Sequence, residues 1–333
     1  MAERRTGKVV KKEVLSETLL RLRVEPEPSR QFPDYEAGQH IVLGRDDCKL
    51  TRKTGVAADG KPVREPEFDP WGRQTVGPVK QYYSIASSPA ETTEHGWLEF
   101  LIALDHGLHG LPGRLYEELF GSSELSECEV TYFDAIGGNF TLGARTGEAE
   151  SVFMVGTGTG VAPFVSMLKE LNAQGTATSG CRYTLLQASR ALSELAYYQL
   201  LSDIEAAGRF DFLYLPIISR PSKGEPVDKQ VGQGRASNLV RLIYGLPTAE
   251  EEKATDATSD VTRAAAGLAL DRLVHPILPS HVTTTALTAR LDPASTVLLA
   301  CGNPTSTADI KASAARRQLR IETEGGSVGM SGL

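Results

Sequence analysis

The stretch VFMVGTGTGVAPF at residues 152–164 constrains the fold more tightly than any other part of this 333-residue chain. Residues 152–155 form a short, continuous apolar run that leads directly into Gly156, Gly158 and Gly160. Val161, Phe164, Val165, Leu168 and Leu171 then place apolar side chains on one helical face. Pro163 falls in the first helical turn, where an amide hydrogen has no partner in any case. Strand, glycine turn and helix in this order predict the start of a doubly wound α/β domain with a dinucleotide site. The glycines admit a diphosphate close to the backbone, and the free amides and helix dipole stabilise its charge. The expected contacts are Gly156, Thr157, Gly158, Thr159, Gly160 and Pro163; the competing reading is a tight structural turn without a ligand.

Further apolar runs at 183–186, 212–216 and 297–300, the first two separated by helical patterns, predict a parallel sheet covered on both faces. The second strand ends in Ala188, Ser189 and Arg190, where NADH sites commonly place an acid. The third ends in Ser219 and Arg220, with Lys223 and Arg235 nearby. Cationic donors at two strand ends favour a 2′-phosphate, hence NADPH, although each arginine alone reads as surface charge. The run 297–300 leads into Cys301, Gly302, Asn303 and Pro304. At the carboxyl ends of such a sheet, where ligands gather, the thiol would be a small, soft wall beside a nicotinamide ring; alone, it reads as a buried cysteine before a turn. Residues 248–290, opening TAEEEKATDATSD, read as an insertion containing a helix that Ser259 or Asp260 would cap.

Residues 8–142 carry a different signal. Short β-like runs at 19–24, 40–43, 81–86, 97–103 and 129–133, broken by Gly, Pro, Asp and Asn, predict an antiparallel barrel or sandwich. Residues 45–79, polar and rich in Gly and Pro, read as a long loop. In QYYSIASSP, residues 81–89, Tyr83 sets a flat aromatic face beside the Ser84 hydroxyl. That pair is suited to stacking on an isoalloxazine and bonding its hydride-accepting nitrogen, with an ordinary strand as the alternative.

The length favours two domains, and 41% hydrophobic residues supply a core for each. The opening residues lack an apolar signal core and no run is long enough to span a bilayer, which predicts a soluble, cytoplasmic protein. A net charge of -7 and a pI near 5.5 argue against nucleic acid as a partner. Residues 1–30 nevertheless carry eight basic against five acidic side chains, and Arg316, Arg317 and Arg320 cluster later. Such patches would steer an acidic protein, or simply be solvated. Cys48, Cys128, Cys181 and Cys301 include no CxxC pair, and only His106 and His109 lie close together, so no metal site or iron–sulfur cluster is expected. Electrons leaving singly would then need a separate carrier protein.

Together these motifs resemble the ferredoxin–NADP reductase family, particularly its bacterial flavodoxin/ferredoxin–NADP reductase branch, over nearly the whole chain. The order is YSIAS, GxFTL at 138–142, GTGTGVAPF, an arginine followed by ELAY at 194–197, Ser219 with Arg220, Gly234 with Arg235, and CGNP. The resemblance implies an N-terminal antiparallel FAD-binding β-barrel at 1–146. It implies a C-terminal Rossmann-like, parallel-sheet NADP-binding domain at 147–333, with the insertion at about 248–290. FAD and NADP(H) are the implied cofactors, hydride passes between nicotinamide C4 and flavin N5, and a separate ferredoxin or flavodoxin exchanges single electrons.

Carried over by position, Tyr83 stacks on the flavin, Ser84 bonds near N5 and Cys301 packs beside the hydride-bearing carbon. Gln81, Tyr82, Ile85 and Ala86 complete the flavin strand, while Gly110, Leu111 and Arg114 belong to the FAD-diphosphate turn. The glycine turn takes the NADP diphosphate; Arg190, Ser219, Arg220 and Arg235 take the 2′-phosphate; and Gly302, Asn303 and Pro304 accompany Cys301. Two departures stand out. Gln81 replaces the family's diphosphate-binding arginine, at a cost of ~1.5–3 kcal/mol unless Arg114 or the segment 45–79, with Arg73 in it, supplies the charge, and Pro112 replaces a hydroxyl residue. The chain also ends GGSVGMSGL without an aromatic residue, so the second flavin face is either open or covered by Met330, Leu333 or the insertion. The alternatives are a reductase component of an oxygenase and a non-catalytic flavin- or nucleotide-binding subunit.

Overall fold

Alternation of apolar and charged residues builds the first sheet: Leu20, Leu22 and Val24 are buried while Arg21 and Arg23 between them stay partly exposed. The computed structural model describes residues 3–56, 62–104, 114–121, 129–175, 180–221 and 228–324, and the chain divides between Thr141 and Leu142 into two compact units. The first contains β1 (Arg4–Ser16), β2 (Leu19–Glu25), β3 (His40–Lys49), β4 (Thr51–Val56), β5 (Pro62–Pro66), β6 (Val76–Ser84), α1 (Pro89–His95), β7 (Leu98–Ala103), α2 (Arg114–Gly121) and β8 (Glu129–Phe133). Six strands form one sheet in the order β6-β3-β8-β1-β2-β7, every neighbour antiparallel. Just past β6, Ala86 N donates to Glu99 O of β7 at 2.8 Å, which draws the two edges together into the predicted barrel. Ile41, Leu43, Phe100, Ile102 and Tyr132 fill it, and Leu115 and Leu119 of α2 close one part of that core.

Two parts of this unit differ from the sequence expectation. The long strand β1 buries only Gly7 and Val9, so its lysines and glutamates hide the β pattern. The predicted loop 45–79 is largely strand: β3 continues to Lys49, and β4 and β5 pair as a separate antiparallel ribbon. Its polar sequence is that of strands solvated on both faces. Beyond the ribbon, the Asp69 carboxylate accepts from the amides of Trp71 and Arg73, both at 2.9 Å. This tight turn holds Trp71 out at 77% exposure.

The second unit contains α3 (Leu142–Arg145), β9 (Ser151–Thr157), α4 (Ala162–Gln174), β10 (Arg182–Ser189), α5 (Tyr198–Ala207), β11 (Phe212–Ile218), β12 (Gly232–Gln233), α6 (Ala236–Ile243), α7 (Ala249–Thr255), α8 (Asp260–Asp271), α9 (Thr284–Arg290), β13 (Thr296–Cys301), α10 (Pro304–Arg316) and β14 (Arg320–Thr323). All its strand pairs are parallel, in the order β12-β11-β10-β9-β13-β14. Residues 151–156, 183–189 and 296–301 are buried without a break, which is why they read as apolar runs. From β9 the chain moves outward through β10, β11 and β12, then returns to the other side of β9 with β13. The strand order therefore reverses between β9 and β13, where α/β sheets form their ligand crevice.

The expected insertion is three helices. Ser259 caps α8, its Oγ accepting from Thr262 N at 3.2 Å, and Thr248 caps α7 in the same way through Glu251 N. Glu252 of α7 pairs with buried Arg241 at 2.7 Å, and Arg241 pairs with Asp309 of α10 at 2.8 Å, so α7 is fastened to the unit's body. By contrast, α8 buries only Ala266. No described helix is long and apolar enough to cross a membrane.

Candidate functional site

At the reversal point the glycine turn and the CGNP turn lock together. Gly158 has φ +57 with open space where a Cβ would lie, so its task is conformational: it turns β9 into the short 3-10 segment that precedes α4. Gly160 has a packing task. A Cβ there would meet the Cys301 carbonyl oxygen and lie 2.5 Å from both the Cys301 carbonyl carbon and Gly302 Cα. Gly302, at φ +125, presses in turn against Thr157, whose Oγ1 accepts from Asn303 N at 2.8 Å. Gly156 is similarly tight against Val161. The 3-10 segment starts without a side-chain cap at Thr157, and Val161 supplies none to α4. That start, with Gly158 exposed and Thr159 half-buried, is a place where amides can meet an anion.

The CGNP residues divide their tasks. Cys301 closes β13 and is buried, and its Sγ donates to Glu324 Oε2 at 2.7 Å. Burial, then the neighbouring Glu324 carboxylate, hold the thiol well above its ordinary range, so it is a neutral donor rather than a thiolate. Asn303 spends its side-chain oxygen on α10, accepting from Thr305 N and Ser306 N at 3.0 and 3.2 Å, and Pro304 sits in the first turn of that helix. Pro163 has the matching place in α4. Glu324 carries no local sequence signal, since only the parallel pairing of β13 with β14 brings it to Cys301.

The expected phosphate donors meet at adjacent strand ends. Arg220 N donates to Arg190 O and Ser219 N to Ser189 O, each at 2.9 Å, and both arginines are exposed. Among the described residues neither guanidinium makes an ion pair. The Ser219 hydroxyl donates to Ser189 O at 3.1 Å, so its proton is already engaged. Arg235 stands at the next strand end, because Gly234 N donates to Ile218 O at 2.9 Å, but its Nη1 donates to Glu250 Oε1 at 3.0 Å. Lys223 lies outside the described residues.

In the first unit the QYYSIASSP segment departs from expectation on one point. Tyr83 pairs with Ile41, is 7% exposed and sets its ring against Phe100 in the barrel core, centroids 6.2 Å apart. A ring so placed offers no free face for stacking. Tyr82, on the opposite side of β6, is 49% exposed and meets the His40 ring edge-on at 5.1 Å. The period of two told which residues share a face but not which face looks inward. Ser84 is half-buried, while Ile85 and Ala86 are buried and Gln81 is exposed. Lys80 shares the outer face with Tyr82 and lies over the Phe133 ring at 4.5 Å. Of the cations suggested to compensate for Gln81, Arg73 is paired with Asp69, and Arg114 opens α2 with its side chain outside the described residues. Gly110, Leu111 and Pro112, like Met330 and Leu333, also fall outside them. Among the described residues no group of His, Cys, Asp and Glu side chains is arranged to hold a metal.

Residues 154–251 match the model of the oxidoreductase NAD-binding domain. No curated protein matches the sequence. Among solved structures, a ferredoxin NADP+ reductase from Neisseria gonorrhoeae with bound FAD and NADP aligns over 97% of this chain and 100% of its own, with 16% identity and a TM-score of 0.55. The flavohaem-like FAD/NAD-binding domain of nitric oxide dioxygenase from Vibrio cholerae aligns over 96% of this chain and 97% of its own, at 17% identity and a TM-score of 0.55. The cytochrome b5 reductase domain of Ulva prolifera nitrate reductase covers the same shares at 13% identity, again with a TM-score of 0.55. At these identities the likeness is one of fold: the chain has the two-domain fold of the ferredoxin–NADP reductase-like family, and the residues that match the oxidoreductase NAD-binding domain lie in its second unit.

Proposed function

We propose that this protein is an FAD-dependent reductase that exchanges hydride with NADP(H) and single electrons with a separate ferredoxin or flavodoxin. The observation that carries the reading is the interlocked pair of turns at the switch point, with uncapped amides on one side and the Cys301 thiol on the other. Amides at 158–160 would bind the diphosphate, Arg190 and Arg220 the 2′-phosphate, and Cys301 would bound the nicotinamide pocket. Held protonated by burial and Glu324, the thiol places no negative charge beside the ring. Thr157 and Gly302 keep it at a fixed distance from the phosphate turn.

FAD would lie along the outer face of β6. There Tyr82 offers the exposed ring, His40 supports it edge-on and Ser84 brings a hydroxyl, while Tyr83 holds the strand to the core. Bound flavin supplies the conversion between electron pairs and single electrons; the protein supplies positions and charge. The FAD and NADP bound to the N. gonorrhoeae ferredoxin NADP+ reductase, which has this fold, support the reading.

The test is anaerobic addition of NADPH to the purified protein, followed by ferredoxin and then flavodoxin. Bleaching of a yellow protein, and its reversal by either carrier, is the expected result. A colourless protein, or flavin that NADPH leaves oxidised, would sink the proposal. Reoxidation only by an oxygenase or haem protein would move the chain to that class of reductase.

A further inference from the structure

Arg235 reaches the phosphate end of the sheet already occupied. Its partner Glu250 lies in the first turn of α7, in the inserted segment, with a carboxylate only 8% exposed against 70% for the Arg235 side chain. The carboxylate is fixed from beneath. Its second oxygen accepts from Asn238 Nδ2 at 2.9 Å, Asn238 Oδ1 accepts from Ala249 N at 3.2 Å, and Asn238 is itself buried. With α7 also held through Glu252 and Arg241, the insertion delivers an immobile negative charge to the rim where Arg190, Ser219 and Arg220 converge.

We propose that Glu250 is a specificity-determining positioning residue, which neutralises Arg235 and so narrows the preference of the site for dinucleotides bearing a 2′-phosphate over those without one. This rests on reading the second unit as the nucleotide site. A 2′-phosphate must share Arg235 with a carboxylate that cannot turn away, and it meets that carboxylate's charge as well. An adenosine diphosphate lacking the 2′-group meets neither. Discrimination then falls to Arg190 and Arg220, and the insertion is the part of the chain that sets how much of it remains.

The experiment is calorimetric titration of the intact protein with 2′,5′-ADP and with 5′-ADP. Glu250→Gln removes the charge and keeps the length of the side chain, with one acceptor oxygen left for the two donors, Arg235 and Asn238. It should tighten 2′,5′-ADP by about three- to tenfold and leave 5′-ADP within about twofold. The gain should shrink when Arg235→Gln is added, leaving only relief of the direct repulsion; a gain of undiminished size in the double variant would overturn the route through Arg235. Equal changes for both ligands, or none, would overturn the proposal while leaving the nucleotide reading in place. If the unaltered protein binds neither ligand, the nucleotide reading falls and takes this inference with it. Should Glu250→Gln lose its thermal transition, Glu250→Asp, which withdraws the carboxylate from Arg235, should show a smaller gain for 2′,5′-ADP alone, and no gain would count against the proposal.

Discussion

Gly160→Ala separates the two tasks that a glycine turn can have. Gly160 does not adopt a positive φ, so alanine strains nothing in its own backbone. The added carbon instead lies 2.5 Å from the Cys301 carbonyl carbon and from Gly302 Cα, and closer still to the Cys301 carbonyl oxygen. These are backbone atoms at the end of a central strand, and they cannot rotate aside as a side chain would. Overpacking costs about 1–3 kcal/mol, and contact with fixed backbone puts this case at about 2–3. For a unit of this size each kcal/mol lowers the melting temperature by about 2–4 °C, so the second unit should melt about 4–12 °C lower. Gly158→Ala is the matched control: its Cβ meets open space, and only the left-handed backbone resists, at about 1 kcal/mol or about 2–4 °C. Thermal unfolding by circular dichroism measures both. A Gly160→Ala protein melting within about 2 °C of the parent, or above Gly158→Ala, would refute the interlock.

Tyr83→Ala should destabilise the barrel by about 3–5 kcal/mol because it empties a core position. Tyr82→Ala should stay within about 0.5 kcal/mol while weakening FAD retention; urea unfolding and flavin release measure the pair, and the opposite order would place the rings the other way round. Cys301 makes a pH statement. Unfolded, the thiol ionises near its ordinary pKa of about 8.5. Folded, it holds its proton well above that. The native state therefore binds more protons above about pH 8.5, and stability falls as pH rises, by up to about 1.4 kcal/mol per pH unit. Cys301→Ser should flatten this slope between about pH 8.5 and 10; the tyrosines, which begin to ionise within that window, contribute to both proteins alike. Parallel urea-midpoint curves for the two proteins would count against it.

What could be read in advance follows from how strands meet water. Residues 152–155 and 297–300 are buried on both faces, so apolar composition alone marks them. In β1 and in the β4–β5 ribbon charged residues occupy exposed positions on both faces, and no alternation remains to be seen. Tyr82 and Tyr83 show a subtler limit, because a change of which face looks inward exchanges their tasks without changing a letter. The pairs Cys301 with Glu324 and Arg235 with Glu250 join residues 23 and 15 positions apart. Each exists because the fold returns the chain to a place it has already passed. The glycine motif revealed the switch point, but not that Gly160 and Gly302 serve each other.

That mutual fit has a kinetic corollary. The turn after β9 and the turn after β13 are joined by Thr157 and Asn303 and wedged by glycines, so neither can shift without the other. A nucleotide landing there need not wait for these two turns to rearrange. Variants that alter its affinity through these turns should therefore change how long it stays more than how quickly it arrives.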